Sequence, residues 1–281
     1  MSTSAVLARA RSTRGPLPIL AACVLWGTTG TAASLASASA PAPAVGAAGL
    51  VLGGCLLFVT SRGARVVLRT ADWRLLLLGA ATVAGYVLAF YPAVARTGVA
   101  VGTTVALAVA PVVLGMRSRP LPTSAAVVGC TALVLGGGDA HVDLVGVALA
   151  LVAGLSYAVY PVVCAHLIGL GHPSRAVVGA VFGGASAVAL PVLPLVGVGW
   201  VASPSGLAVT AHLAVFTTFA AYLLFARGLR HTGAAAATTL TLAEPAVAAV
   251  LGVLVLGERL TPVSWCGMAV LAVALVALAR R

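Results

Sequence analysis

Charge in this chain is confined to short interruptions between long apolar runs, and that spacing limits what it can fold into. The uncharged stretches cover residues 15–61, 75–95, 97–116, 120–138, 144–174, 176–226, 231–243 continued through 245–257, and 260–279. About 20 apolar residues are needed for a helix to cross a bilayer. The first and sixth stretches therefore hold two helices each and the others one, ten in all. Backbone groups in lipid must satisfy one another, so each span is helical. With 61% hydrophobic and 7% charged residues in 281, nothing is left over for a soluble domain. The expected class is an all-α integral membrane protein. Spans fall near 17–36, 43–61, 73–95, 98–116, 123–138, 144–168, 174–196, 206–227, 233–257 and 262–279. Residues 1–16 form a polar tail. Ser34 to Pro43 imitates a signal-peptidase site, but the internal symmetry described below requires the first span to be retained.

The net charge of +11 comes from 16 basic residues, every one an arginine. With the N-terminus in the cytoplasm, fourteen of them fall in cytoplasmic segments and two, Arg96 and Arg259, outside. That is the positive-inside asymmetry, and it supports ten spans with both termini cytoplasmic in the cell (inner) membrane. Arginines in short loops without a basic face exclude a nucleic-acid partner. The five cysteines, Cys23, Cys55, Cys130, Cys164 and Cys266, are isolated and indicate neither a disulfide framework nor a metal site.

The two halves resemble each other. Pro43, Gly49, Gly53 and Gly54 recur at Pro173, Gly179, Gly183 and Gly184, displaced by 130. Thr97-Gly98 with Thr103-Thr104 recurs as Thr232-Gly233 with Thr238-Thr239, displaced by 135, and Ala110-Pro111 answers Glu244-Pro245. Gly136-Gly137-Gly138-Asp139 marks the join, which divides the chain into repeats at 17–138 and 139–281. Five helices per unit is an odd number, so the second unit enters from the opposite face. Two inverted five-helix repeats place a binding site near the midplane between them.

One acid, Glu244, lies inside a span, where a carboxylate costs roughly 2.5–3.5 kcal/mol on insertion scales. Pro245 follows it and removes a backbone donor, inviting a kink. Thr238, Thr241 and Glu244 recur every three residues as a polar stripe. The carboxylate could serve a proton or a solute's ammonium group; equally, it could be a structural acid bonded to a neighbouring helix. Trp26 and Tyr157 lie mid-span, and Tyr86, Tyr91, Tyr160 and Tyr222 join them as aromatics with polar tips suited to a solute cavity. Their alternative is helix packing or the interfacial belt, to which Trp73, Trp200 and Trp265 at span ends are assigned. His212 is a lone membrane histidine, either a proton relay or a bonded side chain. Thr28, Thr31 and Ser34 form a small polar stripe, either cavity wall or hydroxyls bonded to their own helix. Pro245, Pro111 and Pro161 are candidate flex points, though membrane helices also tolerate proline for structural reasons.

These residues resemble the EamA-type branch of the drug/metabolite transporter superfamily. The resemblance is most specific from Leu242 to Leu278, through Glu244-Pro245, Gly257-Glu258 and Gly267. Trp26-Gly27 and Ser156 to Tyr160 are similar to the family's openings of the first and sixth helices. One departure is a connection from Pro111 to Pro122 that is shorter than Pro245 to Pro262. The resemblance implies a secondary transporter of small metabolites, amino acids or drugs, working by alternating access and acting as an exporter or exchanger. No cofactor is expected. The expected partners are a small-molecule solute, protons and membrane lipid, with the protein a monomer or a homodimer. An integral-membrane enzyme on a lipid-linked substrate is the competing reading, but the spans offer no paired carboxylates or metal cluster for it. A non-transporting scaffold subunit is the other.

Overall fold

The computed structural model describes residues 15–34, 40–116, 119–136, 143–256 and 259–279. The polar tail before residue 15, most of the mid-chain join and the Gly257-Glu258 pair lie outside these residues, as do the side chains of Thr31 and Ser34. Seven helices are long and apolar enough to cross a membrane: α2 (Ala42–Thr60), α3 (Trp73–Gly98), α6 (Leu144–Gly169), α7 (Ser174–Val196), α8 (Pro204–Thr232), α9 (Ala234–Leu251) and α10 (Pro262–Ala279). Three shorter apolar helices are also present among the described residues: α1 (Pro16–Gly27), α4 (Val101–Gly115) and α5 (Pro120–Leu135). The first span is shorter than expected because it is interrupted at Thr28 and resumes as Thr29–Ser34. The shortened Pro111–Pro122 connection accompanies a π-turn at Pro111–Gly115 that ends α4 early.

Local chemistry sets the helix starts. Asp72, Asp143 and Ser203 accept the backbone N–H groups of Arg74, Val145 and Gly206, which begin α3, α6 and α8. Proline opens α1, α2 and α5, where its missing donor costs nothing.

Polarity is arranged inside out relative to a soluble protein. Leu121, Leu144, Val59 and Val273 are more than 70% exposed, whereas Thr97, Thr104, Thr210, Thr238, Thr239, Thr241 and Ser264 are buried. Apolar side chains facing outward and hydroxyls facing inward are what a lipid solvent favours.

The packing has a regular pattern. α2 lies against α7, and α5 against α10; α3 lies against α6 and α7, while α8 lies against α1 and α2. Glycines let these backbones meet. A Cβ on Gly54 would strike Phe182 and Ser186 of α7, and one on Gly183 would strike Phe58 of α2. Gly129 and Gly267 face each other between α5 and α10, each against the other's carbonyl.

Side chains tie the helix ends together in pairs. Arg175 donates to the Thr60 carbonyl and Arg119 to the Leu278 carbonyl. Arg96 pairs with Asp143 at 2.8 Å, and the Thr261 hydroxyl donates to the Gly136 carbonyl. Each pair joins ends that the arginine distribution assigns to the same face.

Two backbone breaks match. Gly98, between α3 and α4, has φ 80° and ψ 161°; Gly233, between α8 and α9, has φ 78° and ψ 159°. The preceding threonines, Thr97 and Thr232, both donate to the carbonyl four residues back. Only glycine occupies this backbone region readily.

Trp73 and Trp265, expected in the interfacial belt, are 65% and 54% exposed, whereas Trp200 is buried. A 3₁₀ turn at Gly199–Ala202 folds Trp200 over the ends of α2 and α8, where it packs on Ala44, Val45, Val209 and Leu213.

Candidate functional site

The ninth helix is broken where its acid sits. One helical segment ends at Leu240 and the next begins at Ala243. Pro245 has no N–H and its ring crowds the carbonyl four residues back, that of Thr241. The chain responds by tightening: the Thr241 carbonyl accepts from the Glu244 N–H, and Thr239 from Leu242. Glu244 therefore lies in the first turn of a fresh helical segment.

A side-chain relay supports the break. The Thr241 hydroxyl donates to the Thr238 carbonyl at 2.7 Å, which leaves its oxygen to accept the Tyr157 hydroxyl at 2.5 Å. This contact ties α6 to the break in α9.

Glu244 faces a cavity of about 70 Å³. Its carboxylate has no hydrogen-bond or ion-pair partner among the described residues. The walls come from Trp26 of α1 and Thr29 just beyond its interruption, Leu50 of α2, and Tyr86, Val87, Phe90 and Tyr91 of α3. Leu107 of α4, Tyr157 of α6, Phe182 of α7, and Thr217, Thr218 and Tyr222 of α8 complete them. Eight helices contribute. α5 and α10, packed on each other, do not.

The rings form a continuous wall. Trp26 meets Tyr222 edge-on at 5.0 Å, Tyr222 lies 4.2 Å from Phe182, and Tyr86 bridges Phe90 and Tyr157 at 5.3 and 5.6 Å between centroids. Trp26 is fixed by a π-helical stretch, Leu213–Ala220, within α8. Here the Ala221 N–H donates to the Phe216 and Thr218 carbonyls, and the Thr217 carbonyl takes the indole N–H of Trp26 at 2.8 Å. The widened turn also brings both Thr217 and Thr218 to the cavity.

Of the residues singled out from sequence, the cavity brings together Glu244, Trp26, Tyr86, Tyr91, Tyr157 and Tyr222. Thr241 touches it through Tyr157. Thr238 is fully buried and donates to the carbonyls of Ala234 and Ala235, because the break in α9 splits the expected stripe. Tyr160 stands behind the wall, 5.6 Å from Tyr157 and 6.0 Å from Tyr222. His212 and Thr28 lie apart from the cavity as a pair, Nε2 to Oγ1 at 2.8 Å, linking α8 to the interruption in α1. Pro111 opens the π-turn of α4, while Pro161 sits inside the unbroken helix α6. Sequence inspection missed Thr29, Leu50, Val87, Phe90, Leu107, Phe182, Thr217 and Thr218. Their helices are apolar on every side, so no periodicity marks the inward face; the residues around Tyr222 offered the nearest signal.

Apolar helices surrounding a chamber whose acid has no partner among the described residues define a multi-pass membrane protein built around an internal cavity. Known proteins identify its kind. Residues 144–280 match the model of the EamA-like transporter family. The chain is 36% identical over 270 residues to the uncharacterized transporter YwfM of Bacillus subtilis (strain 168), covering 92% of this chain and 91% of that one. It is 32% identical over 262 residues to the threonine/homoserine exporter RhtA of Escherichia coli (strain K12), covering 88% and 86%. A solved crystal structure shares the fold at a TM-score of 0.77 with 21% identity, covering 94% of this chain and 97% of that one. The chain belongs to the EamA-like transporter family and is a membrane transporter.

Proposed function

We propose that this protein is a secondary carrier that exports small organic metabolites, amino acids among them, by alternating access through the Glu244 cavity. The observation that carries the proposal is the cavity itself, lined by helices from both halves of the chain around one carboxylate without a partner among the described residues. The RhtA relatives, named as threonine/homoserine exporters, support the direction and the amino-acid class. In this reading the carboxylate holds either a proton or the solute's amino group.

Two inverted units, residues 17–138 and 139–281, account for the packing. Exchanging each helix for the one five places later turns the α3–α6 and α3–α7 contacts into α8–α1 and α8–α2, and leaves α2–α7 and α5–α10 unchanged. The matched dihedrals at Gly98 and Gly233 support the same symmetry. The paired helix ends and the arginine asymmetry support termini in the cytoplasm and residence in the inner membrane. Rocking one unit against the other would open the cavity to each side in turn.

Counterflow in proteoliposomes tests the carrier. Vesicles preloaded with unlabelled solute should take up labelled solute transiently and chemically unchanged. Uptake that does not depend on the preload, for any of a panel of amino acids and amines, would refute it.

A further inference from the structure

We propose that this cavity, on the carrier reading above, recognises its solute through an organic ammonium group and needs no carboxylate on it. The charge inventory leads there. The lining holds one acid and, among the described residues, no arginine, histidine or amide side chain; the chain has no lysine. A cationic amine brings the cavity to neutrality with Glu244. A zwitterion adds a carboxylate that finds no cation, beside an anion already in a low-dielectric space.

The hydrogen-bond donors tell the same story. The Trp26 N–H is taken by the Thr217 carbonyl, the Tyr157 hydroxyl by Thr241, and the Thr217 hydroxyl by the Leu213 carbonyl. Three donors that could hold a ligand carboxylate are thus committed within the protein. The lining also holds the hydroxyl residues Thr29, Tyr86, Tyr91, Thr218 and Tyr222, which are neutral groups, and broad aromatic surface on Trp26, Tyr86, Phe90, Phe182 and Tyr222, but no cation. Ring faces attract an ammonium and offer a carboxylate nothing.

Equilibrium dialysis of the purified full chain against two labelled series tests this. One is threonine, its decarboxylated analogue 1-amino-2-propanol and its deaminated analogue 3-hydroxybutyrate. The other is phenylalanine, phenethylamine and 3-phenylpropionate. In at least one series the amine should bind as tightly as the amino acid or more tightly, and the deaminated acid should bind at least about tenfold more weakly. Glu244→Gln should erase the difference between amine and acid, and Glu244→Asp should restore part of it. The proposal is overturned if decarboxylation weakens binding more than about tenfold in both series, if amine and acid bind alike, or if no member binds. Counterflow of the same labels separates the two readings. An amine that binds but never exchanges sinks the carrier and leaves the recognition rule standing. Exchange that demands the carboxylate sinks the rule and leaves the carrier.

Discussion

Replacing Gly98 or Gly233 with alanine separates a backbone cost from every steric one. Both residues sit near φ +80° and ψ +160°, a region that side chains carrying a Cβ rarely enter. Neither position has a heavy atom within 4 Å of where the new Cβ would lie. The methyl group meets open space, so the whole penalty is conformational, about 1–3 kcal/mol at each site. Gly169, the last residue of α6, is the control. It has equally open surroundings and no positive φ, so alanine there should be neutral or stabilising by up to about 1 kcal/mol. The three substitutions are chemically identical, and only backbone geometry distinguishes them. Reversible unfolding of the purified variants in mixed micelles, followed by far-ultraviolet circular dichroism, would measure the differences. Gly98→Ala and Gly233→Ala should lose similar amounts while Gly169→Ala does not. If all three behave alike, the strain argument is wrong, and with it one support for matched junctions in the two halves.

Other outcomes follow from single contacts. Thr241→Val leaves the buried Tyr157 hydroxyl without its acceptor and should cost about 1–3 kcal/mol, whereas Tyr157→Phe, after which Thr241 still donates to Thr238, should cost about 0.5–1.5; the reverse order in the same unfolding assay would contradict the assigned donor direction. Gly267→Leu drives a side chain into the backbone of α5 and should cost about 1–3 kcal/mol or more, read as loss of the monodisperse peak on gel filtration; full recovery of that peak would show that α5 and α10 can part freely. Trp26→Phe keeps the ring but loses the N–H bonded to Thr217, so stability should fall by about 1 kcal/mol, with weaker solute binding by dialysis; unchanged stability and binding would remove Trp26 from the site. In a cysteine-free background, Leu68→Cys and Leu170→Cys should react with an impermeant maleimide only from the cytoplasm and Leu195→Cys only from outside; labelling of all three from one side would overturn the topology.

Much of the site was legible because its members break the rules of their surroundings. Glu244 is an acid within an apolar span, and Trp26, Tyr86, Tyr157 and Tyr222 are polar-tipped rings far from span ends. Thr217 and Thr218 break no rule, since a threonine can bond its own helix anywhere, and only the π-helical stretch turns both toward the cavity. Thr238 looked like part of the Glu244 stripe because a regular helix was assumed; the break before Pro245 takes it out. Trp200 looked like a belt residue because it lies at a span end, but a short turn buries it.

Sequence alone marked where the apolar segments lie, their ends less closely, and supplied the expectation that most arginines share one face. These depend on local quantities: hydrocarbon thickness, backbone satisfaction and the cost of moving charge across lipid. Which face of each helix looks inward, which hydroxyls meet the chamber and which bond their own turn were decided only by tertiary structure. A helix apolar on all sides carries no inward mark of its own. Its rotation comes from glycine contacts with neighbours distant in the chain, and from the breaks at Thr28, Gly98, Thr241 and Gly233 that those contacts accommodate.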